Sequence, residues 1–183
     1  SLVASSKAKN RCNQLQTLLN SLEVDLILEQ NKSALSIFDE ALTHTSAKTA
    51  KNHERLEFLG DAVLRLAASE FIENNFPEMN VGGRSELRAQ LVSDKWLAQL
   101  GRKMGIRKVM VIGSNTAKDL QALPTLEAEA IEALIGGLYE YFKSLEPIHK
   151  WLTPYWMKTS QSFFKEPYKF NAKTALQEWS QRK

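Results

Sequence analysis

Residues 53–64, His53-Glu54-Arg55-Leu56-Glu57-Phe58-Leu59-Gly60-Asp61-Ala62-Val63-Leu64, decide how the rest of the chain is read. At about 100° per residue this stretch forms a helix with Glu54, Glu57 and Asp61 on one flank, within an arc of roughly 60°. Leu56, Leu59, Val63 and Leu66 form a separate apolar stripe that would anchor the helix. Like charges at i,i+3 and i,i+4 destabilise a helix by a few tenths of a kcal/mol, so three crowded acids invite a cation, and a metal ion is the candidate. A solvated acidic face is the plain alternative. Phe58 lies beside the acids and off the stripe, so it wants a partner: a second copy of the chain, or a further core contact within one chain.

A second helix, from Leu126 to about Phe142 with Thr125 as its cap, repeats the pattern. Ile131, Leu134, Ile135, Leu138 and Phe142 share one face, while Glu129 and Glu132 lie on another with Gly136 one turn onward. Gly60 stands in a comparable place beside Glu57 and Asp61. A glycine lets a second backbone approach closely. Two helices of this kind can cross so that Glu57, Asp61, Glu129 and Glu132 share ions.

Carboxylate oxygens favour hard divalent cations, Mg²⁺ with Mn²⁺ as a substitute, over zinc. Cys12 is the only cysteine, which excludes an internal disulfide and a thiolate-rich zinc site. Glu-x-x-His spacing on two helices, as in a di-iron bundle, does not occur. His44, His53 and His149 pair with no serine or cysteine in a nucleophile motif, and each is read as a hydrogen-bonding residue rather than a ligand. Two divalent ions about 4 Å apart can clamp an in-line displacement at phosphorus. That chemistry needs a bound polyanion.

The charge pattern offers a surface for one. The net charge is only +3, but Arg84, Arg88, Lys95, Arg102, Lys103, Arg107 and Lys108 face only Glu86 and Asp94 in their segment, and lysines outnumber acids from residue 143 onward. Basic surfaces beside acidic clusters suit a polyanion held for a metal to work on; ordinary solvated helix faces are the alternative. With 183 residues, 43% of them hydrophobic, and only eight glycines and five prolines, the chain is expected to be one predominantly α-helical domain. No apolar run approaches the roughly 20 residues that span a bilayer and no leader is recognisable, so a soluble cytoplasmic protein without a membrane partner is expected.

Elsewhere, residues 1–9 read as a flexible tail and 11–29 as helix with a break near Asn20-Ser21. A helix begins near Ser33 as cap and runs toward His44. The acidic helix continues to Asn74-Asn75-Phe76-Pro77. Val81-Gly82-Gly83 reads as a turn, followed by a helix capped by Ser85 and carrying Leu87, Leu91, Val92, Trp96, Leu97 and Leu100. Lys108 to Ile112 is a short strand or a buried loop, 113–124 a mobile loop, and 148–164 a closing helix started or interrupted near Pro154.

The segment 53–64 resembles the signature motif of the ribonuclease III family. Ala41-Leu42-Thr43-His44 with Ser46 resembles the motif before it, Ser85 to Val92 the following helix, and Glu132-Ala133-Leu134-Ile135-Gly136-Gly137 the second acidic motif. The likeness covers roughly residues 12–160. It implies an all-α endonuclease-domain fold, a homodimer, and Mg²⁺-dependent cleavage of double-stranded RNA to 5′-phosphate products with short 3′ overhangs, in RNA processing. By position, Glu57, Asp61, Glu129 and Glu132 would hold metal, with Asp61 and Glu132 catalytic. Glu54, Arg55 and Phe58 would lie at the dimer interface, and Arg84, Arg88, Lys95 and Lys173 would contact RNA. The implied organisation is a nuclease domain over 1–160, a linker over 161–170, and over 171–183 the opening of a double-stranded RNA-binding domain. Two positions depart from the family pattern: Glu129 stands where aspartate is usual, and Val81 where glutamate is common. These departures motivate a second reading, a protein that grips duplex RNA but cuts it poorly; a hydrolase of smaller phosphate esters is a third.

Overall fold

The computed structural model describes residues 2–165, and these are helical with no strand among them. The order is α1 (Leu2–Ser21), α2 (Lys32–Ala41), α3 (Glu54–Asn75), α4 (Val81–Leu91), α5 (Asp94–Met104), α6 (Ser114–Ala117), α7 (Leu123–Phe142) and α8 (Glu146–Lys165), with short 3₁₀ turns between. Helix α1 is already formed from Leu2, where a tail is expected, and ends at the anticipated break. Lys173 and the expected RNA-binding segment lie outside the described residues.

The helix starts fall earlier than the hydroxyl caps suggest. Asn31 rather than Ser33 caps α2, its Oδ1 accepting from Ala34 N at 2.9 Å. Asn80 caps α4 through Gly83 N at 2.7 Å, so Val81-Gly82-Gly83 is the first helical turn and Ser85 lies inside it. Helix α7 opens at Leu123 with Pro124 in its first turn, a position that needs no N–H partner, and Thr125 is not its cap. The single helix expected over 85–100 is two: Ser93 breaks it and caps α5 through Trp96 N, and Gly105, at φ 65°, ends α5. Pro154 lies within α8 on its exposed side.

Helix α7 is the axis of the fold. Its buried run from Leu126 to Leu138 packs against α3 on one side and α5 on the other, with α2 and α8 completing the core. Trp156, Phe38 and Phe71 are the bulkiest fully buried side chains. The buried face of α3 is Leu56, Gly60, Val63, Leu64, Ala67, Ala68, Phe71 and Ile72, turned by roughly 90° from the expected stripe. Leu66 is therefore exposed, and with Phe58 and Ala62 it makes a second apolar line at i, i+4 and i+8.

The closest backbone approach falls at the two anticipated glycines. A Cβ on Gly60 would lie 1.8 Å from the Glu132 carbonyl oxygen, and one on Gly136 would lie 2.0 Å from that of Leu56. No side chain fits in either place.

Candidate active site

The glycine crossing sets the acids. Glu57 and Asp61 flank Gly60 on α3, Glu129 and Glu132 precede Gly136 on α7, and all four line one open cleft of about 550 Å³ together with Glu54, His44, Thr45, His53 and Phe58. A contiguous depression on the other side of Glu57, Glu129 and Glu132 adds Asp94, Lys95 and Thr125. The four carboxylates that the sequence nominates as ligands thus meet in one place.

The crowding has an electrostatic signature. Burial, then the like charges of Asp61, Glu57 and Asp94, push the Glu132 carboxyl up to about 7. Burial and the Glu57 charge raise Glu129 as well. Carboxylates held this way gain from a neutralising cation, and an all-oxygen donor set suits a hard divalent ion. The residues present therefore fit the metal that the acids call for. Arg65 supplies the opposing charge on the outer side, 3.4 Å from Asp61.

Two histidines join the acids, which the sequence does not suggest. A long-range bridge places them: His44 N donates to Val111 O, Val111 N to Leu42 O, and His53 N to Thr43 O, each at 2.8 Å. The rings stack with centroids 4.8 Å apart. His44 Nε2 lies 3.5 Å and His53 Nε2 4.0 Å from the same Glu129 oxygen, while His53 Nδ1 meets Glu57 at 3.0 Å. His149 stays apart, beside Glu70. Asp94 is a further missed contributor, delivered to the cleft by the Ser93 cap. The available signal was the i,i+4 spacing of His53 and Glu57.

The remaining nominated residues divide. Phe58 is 85% exposed, an unusual state for phenylalanine and one that suits an interface. Arg55 is engaged within the chain: it forks onto Glu40 at 2.9 and 3.1 Å and also pairs with Glu140. Arg84 is likewise held by Glu73 and the carbonyls of Met79 and Pro77, and Arg88 donates to Ser69. Lys95 lies at the acidic cleft. Val81 is exposed beside Arg84 and Arg88.

Comparison with known proteins agrees with this geometry. The Ribonuclease-III-like family model matches residues 35–152. Ribonuclease 3 of Prochlorococcus marinus is 52% identical over 91% of this chain and 67% of its own length, and Ribonuclease 3 2 of a Nostoc species is 35% identical over 93% and 69%. In structure, the nuclease domain of ribonuclease III from Campylobacter jejuni superposes with a TM-score of 0.61 at 32% identity, covering 73% of this chain and 95% of that one. With the acid-bearing crossing, the matched family model and these relatives in agreement, the chain belongs to the ribonuclease III family of endoribonucleases.

Proposed function

We propose that this protein cuts double-stranded RNA by divalent-metal-assisted phosphodiester hydrolysis, leaving 5′-phosphates and short 3′ overhangs, as part of RNA processing in the cytoplasm. The observation that carries the reading is the convergence of Glu57, Asp61, Glu129 and Glu132 on one cleft, with Glu132 pushed up to about 7 by its neighbours. These four acids would hold Mg²⁺, or Mn²⁺ in its place; when bound, such ions supply an activated nucleophile and neutralise charge on the leaving oxygen. Asp61 and Glu132, on opposite helices, are the groups assigned to the reacting phosphate. The fixed glycine crossing keeps the two acidic pairs in register, and metal-assisted chemistry tolerates only small displacements.

The cleft's shape and surroundings support the choice of substrate. It is open and polar, as contact with a sugar-phosphate backbone requires, and duplex RNA is held through phosphates and 2′-hydroxyls with little base reading. Lys95 is the basic residue at its edge; Arg84 and Arg88 would contribute charge from α4 once RNA competes for their present partners. Two chains would associate through the exposed line of Phe58, Ala62 and Leu66, with Glu54 at its border and Arg55 supporting α3 from within. Incubating the protein with a long RNA duplex and Mg²⁺ tests the reading: short 5′-phosphorylated duplexes are expected, and an intact duplex with both Mg²⁺ and Mn²⁺ overturns it. The engagement of Glu129 by two imidazoles favours the second reading, of a duplex binder that cuts poorly, and retention of RNA without products would identify it.

A further inference from the structure

Away from the acids, α5 and α8 enclose a depression of about 150 Å³ whose polar side chains can all donate hydrogen bonds. Lys103, Lys158, Gln99 and Thr159 are these donors, and Trp96, Leu100 and Tyr155 form the rest of the lining. No carboxylate borders it. From Lys95 to the end of α5, and from Pro147 to the end of α8, neither helix carries an aspartate or a glutamate. Among the described residues, Arg11, Arg55, Arg65 and Arg84 each pair with a carboxylate, whereas no ion pair engages Lys103 or Lys158. Lys103 Nζ lies instead 5.3 Å from the centroid of the Tyr155 ring, which holds the ammonium without neutralising it. Thr159 Oγ1 accepts from Trp96 Nε1 at 2.8 Å, and its own proton remains to be donated. Two unneutralised ammonium groups at one depression repel each other, and a bound anion relieves that.

The position on α5 decides which anion this is. Asp94, Lys95 and Ala98 face the acidic cleft, while Trp96, Gln99, Leu100 and Lys103 face the depression, roughly 140° round the helix. A straight duplex lying in the cleft therefore passes the depression by. Lys95, Gln99 and Lys103 nonetheless form one exposed i, i+4, i+8 line, about 12 Å from end to end, that leads from the cleft to the depression. A flexible single strand can turn along such a line where a stiff duplex cannot. Its regularly spaced anions are phosphodiester groups, and a set of lysine, amide and hydroxyl donors suits them without reading the bases.

We propose that Lys103, Lys158, Gln99 and Thr159 bind a backbone phosphate of a single-stranded RNA segment adjoining the duplex held in the cleft. The duplex in the cleft rests on the function proposed above; the donor set does not. The site adds affinity for substrates that carry single-stranded flanks, whatever their base sequence, and takes no part in bond cleavage.

Retention by the full chain is measured in chelator, so that no strand is cut, with a blunt RNA duplex and with the same duplex carrying a single-stranded uridine extension of about eight nucleotides. The unaltered chain should hold the extended probe at least about threefold more tightly, and its log affinity should fall more steeply with log salt, by about 0.7 for each added phosphate contact. Lys103→Gln combined with Lys158→Gln should abolish both differences while binding of the blunt probe stays within about twofold. Lys32→Gln combined with Lys150→Gln removes equal charge near the other end of α7, beside Tyr141 and Phe142, and should leave both differences in place. Far-UV circular dichroism checks each fold, and either single substitution, with partial loss expected, serves should the double variant not fold. Equal retention of the two probes by the unaltered chain, an advantage that survives the double substitution, or one lost equally in the distant pair overturns the proposal. Low millimolar inorganic phosphate at matched ionic strength should leave the advantage in place; its loss would assign the depression to free phosphate and overturn the RNA reading. Mg²⁺-supported cleavage is followed separately. An extension advantage with no cleavage under any condition would overturn the nuclease reading and leave the site standing; cleavage of the blunt duplex with no extension advantage would do the reverse.

Discussion

Gly60 and Gly136 interlock: each amide nitrogen lies 3.0 Å from where the other residue's Cβ would be, and each absent Cβ would fall within 2.0 Å of a backbone oxygen on the facing helix. The relationship fixes both the distance between α3 and α7 and the register of the acids they carry.

Alanine at either glycine must push backbone against backbone, so Gly60→Ala and Gly136→Ala should each cost about 3 kcal/mol or more of unfolding free energy. Urea titration measures it. A loss below about 1 kcal/mol would mean that the helices separate easily and that their crossing does not hold the site.

The raised Glu132 carboxyl has a signed consequence for stability. Between its ordinary 4.5 and its folded value of about 7 the folded chain keeps a proton that the unfolded chain has lost. Stability of the metal-free protein therefore falls as pH rises through that window, and Glu129 acts in the same direction. Glu132→Gln removes the Glu132 contribution. Discounted for the cleft's access to water, its advantage over the unaltered chain should grow by about 1–2 kcal/mol between pH 5 and pH 8 in chelator. A pH-independent difference would contradict the crowding.

Arg55 should matter to stability before it matters to association. Glu40 is only 8% exposed and takes both branches of the guanidinium fork, so Arg55→Ala strands a nearly buried carboxylate. A loss of about 2–3 kcal/mol is expected, with Arg55→Lys recovering only part because one ammonium cannot make both contacts. Unchanged urea midpoints would show that the pair contributes nothing.

Phe58→Ala should shift the association equilibrium toward monomer in sedimentation, with a loss on the order of 2–3 kcal/mol per subunit for a buried phenyl. It should leave the stability of the separated chain almost unchanged, because the ring is 85% exposed within it. The opposite pattern, a destabilised chain with intact association, would assign Phe58 to the core.

Much of this architecture was legible in the residues. The helical rhythm, the two acidic helices and the paired small residues could be read because each depends on local spacing alone. Helix starts were misread where asparagine, not serine or threonine, supplies the cap, as at Asn31 and Asn80. The core face of α3 was placed too far round because Gly60, Ala67 and Ala68 mark it without bulk. The histidine pair was not legible at all. His44 and His53 converge because His53 N binds Thr43 O while Val111, distant in sequence, hydrogen-bonds on either side of Thr43, and no local pattern encodes these contacts.

Joint action of acids from two crossed helices on an RNA phosphate is the core of the proposed function. Its most direct test compares Glu57→Gln and Glu132→Gln with the unaltered protein on one labelled duplex, following cleavage in Mg²⁺ and RNA retention in parallel. Each substitution should lower the cleavage rate by at least about a hundredfold while retention stays within a few-fold. Cleavage that continues undiminished in both variants would contradict joint action of the two acidic pairs.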